Sequence, residues 1–172
     1  MDSSITIASA VLVACAATLP HAAESVANEP TISADAALAA AGAALAHCRK
    51  EGQHVSVTVV DASGRVKAAV RDDGAAPHTA EHSFRKAYTA LSYRMPSAEY
   101  GKRAAQAKGA AIGPQLLPHI TTAAGGLPIR SGNAVIGAIG VSGTPSSAGG
   151  GEGDAKCAAT GLERIAAGPE AR

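Results

Sequence analysis

The scarcity of bulky side chains limits most strongly what this chain can fold into. Its 172 residues include one Phe, three Tyr and no Trp, against 19 Gly, and alanine recurs throughout. A chain of this length forms one domain with a sizeable core, and here that core must be close-packed from small side chains. Such a core buries less area per residue, so we expect an oligomeric interface to add to it.

Nearly all the unusual residues of the chain lie in one segment, Arg71 to Pro96 (RDDGAAPHTAEHSFRKAYTALSYRMP). All four aromatic rings fall in this segment or just beyond it, beside His78 and His82, four residues apart, and the basic pair Arg85 and Lys86. In a chain so poor in rings, few other segments offer metal-binding side chains, cations and apolar surface together. This segment is therefore the candidate ligand site.

The N-terminal residues 1–23 have the pattern of a secretory signal. Ile5–Leu19 is uncharged and apolar, too short to span a bilayer, and is followed by Pro20 and small residues. We predict cleavage after Ala23, a linker over residues 24–32, a domain over 33–172, and a periplasmic or secreted protein without a membrane span. The alternative is a lipoprotein anchored through Cys15, because Leu12-Val13-Ala14-Cys15 matches the lipoprotein signal.

Charge and cysteine usage agree with export. The net charge is +1, so no basic patch indicates nucleic acid as a partner. Without the signal, only Cys48 and Cys157 remain, an even pair far apart in sequence. They either form a disulfide that joins the first helix to the last or are two small buried residues that never meet.

Hydrophobic periodicity and turn residues predict an α+β domain. Short turns such as Ala62-Ser63-Gly64 force antiparallel pairing, so we expect an antiparallel sheet of about five strands flanked by helices, profilin-like or roadblock-like in character. The predicted helices are 34–50, 79–94, 98–108 and 154–167, and the predicted strands are 54–61, 65–71, 120–122, 127–130 and 134–142. Ser33, Ser97 and Asp154 are the expected N-caps, and Gly137 and Gly140 are expected to let a helix pack closely on a strand.

Three separated segments carry a family resemblance. They are DGAAPHT…RKAYTALSYRMP, GGLPIRSGNAVIGAIGVSG and CAATGLERI, in this order along the chain. Together they resemble the GlcG/HbpS haem-binding family, which includes the C-terminal domain of PduO-type cobalamin adenosyltransferases. The resemblance implies homo-oligomeric assembly and binding of haem, with a corrinoid as the alternative cofactor.

The resemblance also implies roles for residues of the candidate site. His78 or Thr79 would be the group next to the iron, with His82 beside them, while Arg85 and Lys86 would pair with haem propionates. On the predicted helix these residues share one polar face, opposite a stripe of Phe84, Tyr88, Leu91 and Met95 that we expect to be core. The competing interpretation of His78 and His82 is two solvated histidines on an exposed helix.

Other chemistries fit the sequence less well. His78 and His82 with Glu81 form half a zinc site, but there is no HExxH motif and no obvious third ligand. The glycine-rich segment 149–153 lacks the Lys-Ser/Thr of a P-loop, and GVSGT has Thr144 where a serine-hydrolase elbow requires glycine. His47, His54 and His119 are interpreted as structural or solvated.

We therefore expect an exported haem-binding protein that captures, stores or senses haem rather than an enzyme. The alternative is an accessory protein or enzyme that acts on a small organic acid of the glycolate type or on a corrinoid, with Arg85, Lys86 and Arg130 as carboxylate-binding residues. A third alternative is a purely structural assembly module.

Overall fold

The computed structural model describes residues 28–107, 117–145 and 151–167. The described residues form four helices and one four-stranded sheet, in which all strand pairs are antiparallel and the order is β2-β1-β4-β3. The helices are α1 Ala34–Lys50, α2 His78–Tyr93, α3 Ser97–Gln106 and α4 Glu152–Ala166. The strands are β1 Ser56–Asp61, β2 Val66–Arg71, β3 Gly126–Ser131 and β4 Ala134–Ser142. The predicted signal, residues 1–23, lies outside the described residues.

The α+β class and the antiparallel sheet are confirmed, with four described strands where about five were expected. The missing one is 120–122, which forms no strand. Its Thr121 amide donates instead to the Thr89 side chain on α2, at 2.9 Å, so this segment follows a helix and not the sheet edge. No helix of the described part of the chain is long and apolar enough to cross a bilayer.

Helices cover both faces of the sheet. α1 and α4 pack together on one face and α2 lies on the other, so β1 is buried on both sides. Val57 and Val59 join the large apolar cluster under α1 and α4, whereas Val60 belongs to a smaller cluster under α2. The alternation in the sequence of β1 therefore separates two buried environments, not core from solvent.

The helices of the first face are tied to each other covalently. α1 begins after Ser33, whose side chain accepts a hydrogen bond from the Ala36 amide at 3.2 Å, as predicted. Cys48 near the end of α1 and Cys157 on α4 form a disulfide across 109 residues of sequence, and both are almost fully buried. This disulfide joins the first helix of the domain to the last.

The second face depends on glycine. A Cβ on Gly140 of β4 would lie 2.6 Å from the Ala87 amide nitrogen and closer still to the Ser83 carbonyl oxygen of α2. Only glycine lets the α2 backbone lie this close to β4, which confirms the packing role predicted for Gly140. At Gly137 the obstacle is the Val60 carbonyl of the neighbouring strand, at 2.5 Å, so the predicted helix contact is wrong there.

The fully buried face of α2 is not the predicted one, although Phe84 and Leu91 of the predicted stripe pack, partly buried, against the smaller cluster. Its buried residues are small or polar, and the aromatic stripe is only partly buried. Phe84 and Tyr88 instead form edge contacts with the ring of His119, with centroids 5.0 and 5.6 Å apart. The large rings cannot occupy the sheet side because the backbones approach too closely at Gly140.

Three boundaries also differ from prediction. Ile32, placed in the linker, is buried in the core, and its amide bonds the Ile136 carbonyl at 2.9 Å. Ser97 opens α3 without capping it, and its hydroxyl accepts from the Gly126 amide at 2.9 Å. Asp154 lies in the first turn of α4 instead of at its cap. The side chains of Ser97 and Asp154 thus make tertiary hydrogen bonds, to Gly126 and Lys86, in place of capping their helices.

Gly140→Ala tests the close packing of α2. Because the added methyl group would meet backbone atoms that cannot rotate away, we expect a loss of about 1–3 kcal/mol in the free energy of unfolding, measured by urea denaturation. The control is Gly42→Ala on α1, where a Cβ meets nothing within 4 Å and where better helix propensity should add about 0.5–1 kcal/mol. Equal effects at the two positions would contradict the packing argument.

Reduction of the disulfide should destabilise the folded chain, because the closed loop restricts the unfolded ensemble. We expect a loss of about 2–5 kcal/mol in urea unfolding under dithiothreitol. A Cys48→Ala/Cys157→Ala variant should be similarly weakened and insensitive to the reductant. Peptide mapping that finds both thiols free in the oxidised protein would rule out the disulfide.

Candidate functional site

A cleft opens at one end of the sheet, where β1 begins and β4 ends, with Ser56 and Ser142 paired in register. The first turns of α2 and α4 and the turn after β2 enclose it, and its volume is about 530 Å³, within the range of small-molecule sites. The cleft is lined by Gly52, Gln53, His54, Gly74, Ala76, His78, Thr79, His82, Lys86, Ala123, Ser142, Gly143, Thr144, Gly151 and Asp154.

Four of the five residues predicted from sequence line this cleft, but they differ in how accessible they are. His78 is exposed at the first position of α2, and its side chain makes no hydrogen bond to any residue that the structure describes. Its imidazole nitrogens are therefore available to a ligand. Arg85 is not part of the cleft lining. It is held by Glu81 one turn earlier, with Nη2 and Oε1 2.6 Å apart.

Thr79 is buried beneath His78. Its hydroxyl donates to the Ala76 carbonyl at 2.7 Å and is 2.8 Å from the Ser56 hydroxyl. One turn further along α2, Ser83 makes the equivalent hydroxyl contact with Thr58, also at 2.8 Å. These contacts give the buried hydroxyl groups of Ser56 and Thr58 hydrogen-bond partners. The Thr79 hydroxyl therefore already has two partners within the protein.

Lys86 and Asp154 form a buried ion pair at the bottom of the cleft. Nζ and Oδ2 are 2.6 Å apart and both side chains are under 5% exposed. Asp154 also accepts the Thr144 amide at 3.0 Å. Burial lowers the pKa of Lys86, and the carboxylate opposes that effect. The sequence placed Lys86 on the polar face of α2, opposite the expected core, and in the structure Lys86 is buried on the side that also carries Thr79 and Ser83.

His82 is half-buried and has hydrogen-bond partners on both ring nitrogens. Nδ1 lies 3.1 Å from the Ser142 hydroxyl, and Nε2 lies 3.4 Å from that of Thr121. Burial, together with the positive charge of Lys86, lowers the pKa of His82. The arrangement therefore favours a neutral imidazole that joins α2 to β4.

Sequence reasoning missed one of the three histidines that line the cleft, His54. Its imidazole is exposed, lines the cleft, and has Nδ1 3.3 Å from Oδ2 of the buried Asp72. The hairpin register brings the two residues near each other, because the Asp72 amide bonds the Val55 carbonyl and continues the pairing of β1 with β2. Val55 is thus the residue opposite Asp72 and the contact of His54 with Asp72 is diagonal, so the sequence signal narrows the partner of His54 to Asp72 or Asp73 without choosing between them.

The zinc alternative gains no third ligand from the fold. Among the residues that the structure describes, no group of three or more His, Cys, Asp or Glu side chains is arranged to hold a metal ion. The three histidines of the cleft are therefore not arranged to bind one zinc ion together.

The comparison with known proteins agrees with the fold. A family described as haem degrading protein HbpS-like matches residues 32–163. The chain belongs to this family. The HbpS part of the predicted resemblance is thereby confirmed. No curated protein matches the chain.

Solved structures agree with this assignment. The crystal structure of HbpS is similar at 36% identity and a TM-score of 0.75, covering 83% of this chain and 95% of that one. The Klebsiella pneumoniae protein ORFY is 30% identical with a TM-score of 0.74 over the same shares. A PduOC complex with haem is 25% identical, with a TM-score of 0.69, covering 78% of this chain and 95% of PduOC.

The lowered pKa of His82 predicts a pH dependence of stability. Below about pH 6.5 the unfolded chain binds a proton at this ring that the folded chain binds less readily. The contribution of neutral His82 to the free energy of unfolding is thus complete above that pH and is lost as the pH falls through the folded-state pKa. His82→Gln should flatten the slope of unfolding free energy against pH in this window. An unchanged slope would contradict the assignment.

Proposed function

We propose that this protein binds haem in the cleft at the start of α2, with His78 as an iron donor. One observation carries the proposal, namely an exposed imidazole without a hydrogen-bond partner among the described residues, at the edge of a cleft of ligand size. A neutral imidazole is a common axial ligand of haem iron. Membership of a family described as haem degrading and the similarity to a PduOC–haem complex support the choice of ligand.

The remaining predicted residues fit haem to different degrees. Arg85 lies outside the cleft lining, so it would pair only with a propionate that extends beyond the cleft, and its exposed ion pair with Glu81 contributes little energy and can be exchanged for such a carboxylate. Lys86 already neutralises Asp154 in a buried pair, so a second carboxylate would compete with a partner at 2.6 Å. Thr79 has its hydroxyl bound twice within the protein. We therefore rank His78 above Thr79 and Arg85 above Lys86.

Bound haem would supply iron for ligand binding or electron transfer, and the protein residues would determine its orientation. The proposed role is capture, storage or redox-linked sensing of haem by an exported homo-oligomer. The proposal of export rests on the apolar segment of residues 1–23. Cell fractionation checks it: the mature protein should be periplasmic or secreted and begin near Glu24, whereas lipid attachment at Cys15 would establish the lipoprotein alternative.

Haem degradation is the second candidate function, favoured by the description of the family. The two candidates differ in what happens to the pigment. A capture or storage protein should keep the haem absorption bands constant in the presence of a reductant and oxygen, and a degrading protein should lose them with release of iron.

Haemin titration tests binding itself. The wild-type protein should shift the Soret band of haemin, and His78→Ala should weaken binding by about tenfold or more, equivalent to about 1.4 kcal/mol. His47→Ala is the matched control, since His47 lies near the end of α1 and outside the cleft lining. Binding that is absent from the wild-type protein, or that is equal in all three proteins, would refute the proposal. A shift with cobalamin alone would favour the corrinoid.

A further inference from the structure

Of the three histidines that line the cleft, His54 is the one whose ring is oriented by a carboxylate. Its side chain is 62% exposed, and its Nδ1 lies 3.3 Å from Oδ2 of Asp72, which is 3% exposed. An ionised carboxylate only accepts hydrogen bonds, so this contact requires the proton on Nδ1. The neutral ring then has its lone pair on Nε2, on the exposed side.

Asp72 is held firmly enough to perform this orienting role. Its Oδ1 accepts from Arg49 Nε at 3.0 Å, from Arg49 Nη2 at 2.5 Å and from the Asp73 amide at 2.9 Å. With Oδ1 fully occupied, Oδ2 remains for His54. The Asp72 amide also bonds the Val55 carbonyl at 2.9 Å, which fixes the backbone on which the carboxylate stands.

This arrangement has the form of a metal-ligating histidine, which typically donates its second ring nitrogen to a carboxylate that sets the tautomer and increases ligand basicity. The other two cleft histidines lack it. His82 has both nitrogens bound to hydroxyl groups, and His78 has no orienting partner among the described residues.

We infer that His54 is a second imidazole donor for the iron of haem bound in the cleft, held in the ligating tautomer by Asp72. The inference rests on the proposed function. It adds a second iron ligand, from the segment just before β1, to the donor at the start of α2. It also makes Arg49 and Asp72 positioning residues for ligation.

The absorption and electron paramagnetic resonance spectra of the haemin-loaded full chain test the inference. Two imidazole donors make ferric haem low-spin, so the wild-type protein should be low-spin and His54→Ala should be high-spin. Because His54 is exposed, the variant should fold normally, which circular dichroism checks. Added free imidazole should restore the low-spin spectrum of His54→Ala, and a merely structural role for His54 would leave wild type and His54→Ala in the same spin state before imidazole is added.

Asp72→Asn tests the tautomer. The amide oxygen would take the place of Oδ1, bonded to Arg49, and the amide NH₂ would face His54 Nδ1. That contact moves the imidazole proton to Nε2 and removes the lone pair from the cleft. Haemin affinity should fall by roughly 10–100-fold with a high-spin spectrum, while Asp73→Asn, at the exposed neighbouring carboxylate, should behave as wild type.

The outcomes separate this inference from the proposed function. Haemin that binds with dependence on His78 but gives the same spectrum and affinity in wild type and His54→Ala overturns the inference alone. Equal behaviour of Asp72→Asn and Asp73→Asn overturns the role of the carboxylate. Haemin that does not bind the wild-type chain at all refutes both.

Discussion

The close approach of α2 to the sheet is the contact on which the cleft depends. Gly140 lets the helix backbone lie against β4, and pairs of hydroxyl groups, Ser56 with Thr79 and Thr58 with Ser83, fill the space between helix and β1. A helix packed through larger apolar side chains would stand further from the sheet. The start of α2 would then no longer meet the ends of β1 and β4, and His78 would lie away from the cleft.

The buried ion pair of Lys86 with Asp154 connects α2 to α4 in addition to this helix–sheet contact. Burying two charges costs desolvation energy, so the pair is weak evidence for net stability, and we expect its main effect to be on how α2 and α4 are placed. Here it joins the middle of α2 to the first turn of α4 across the bottom of the cleft. The disulfide lies one helical turn away on α4, at Cys157, so a covalent and an ionic link hold the same helix. Arg49 follows Cys48 directly in α1. The hydrogen-bonded residues Arg49, Asp72 and His54 are therefore attached to the helix that the disulfide joins to α4.

Much of the fold could be predicted from local pattern. The bounds of α1 and β4 agree with prediction to the residue, because α1 has a capping serine and an alanine-rich run that contains one glycine, and β4 follows a Ser-Gly-Asn turn with a run of apolar residues. The prediction failed where a tertiary contact replaced a local one. Ser97 and Asp154 have good capping side chains, but Ser97 bonds β3 and Asp154 bonds Lys86. The aromatic stripe of α2 shows the same limit, since periodicity identifies two helix faces and does not say which one meets the sheet.

The amino-acid sequence determined which elements form, the family to which the chain belongs and the segment that carries the candidate site, because helix caps, turn residues and strand alternation are local properties. The tertiary structure alone decided which of the polar residues reach a ligand. It buried Lys86, engaged the Thr79 hydroxyl, left Arg85 outside the cleft and brought His54 into it. The physical reason is that exposure and hydrogen-bond partners are set by neighbours distant in sequence, and for this chain those neighbours are Asp154, Ser56 and Asp72.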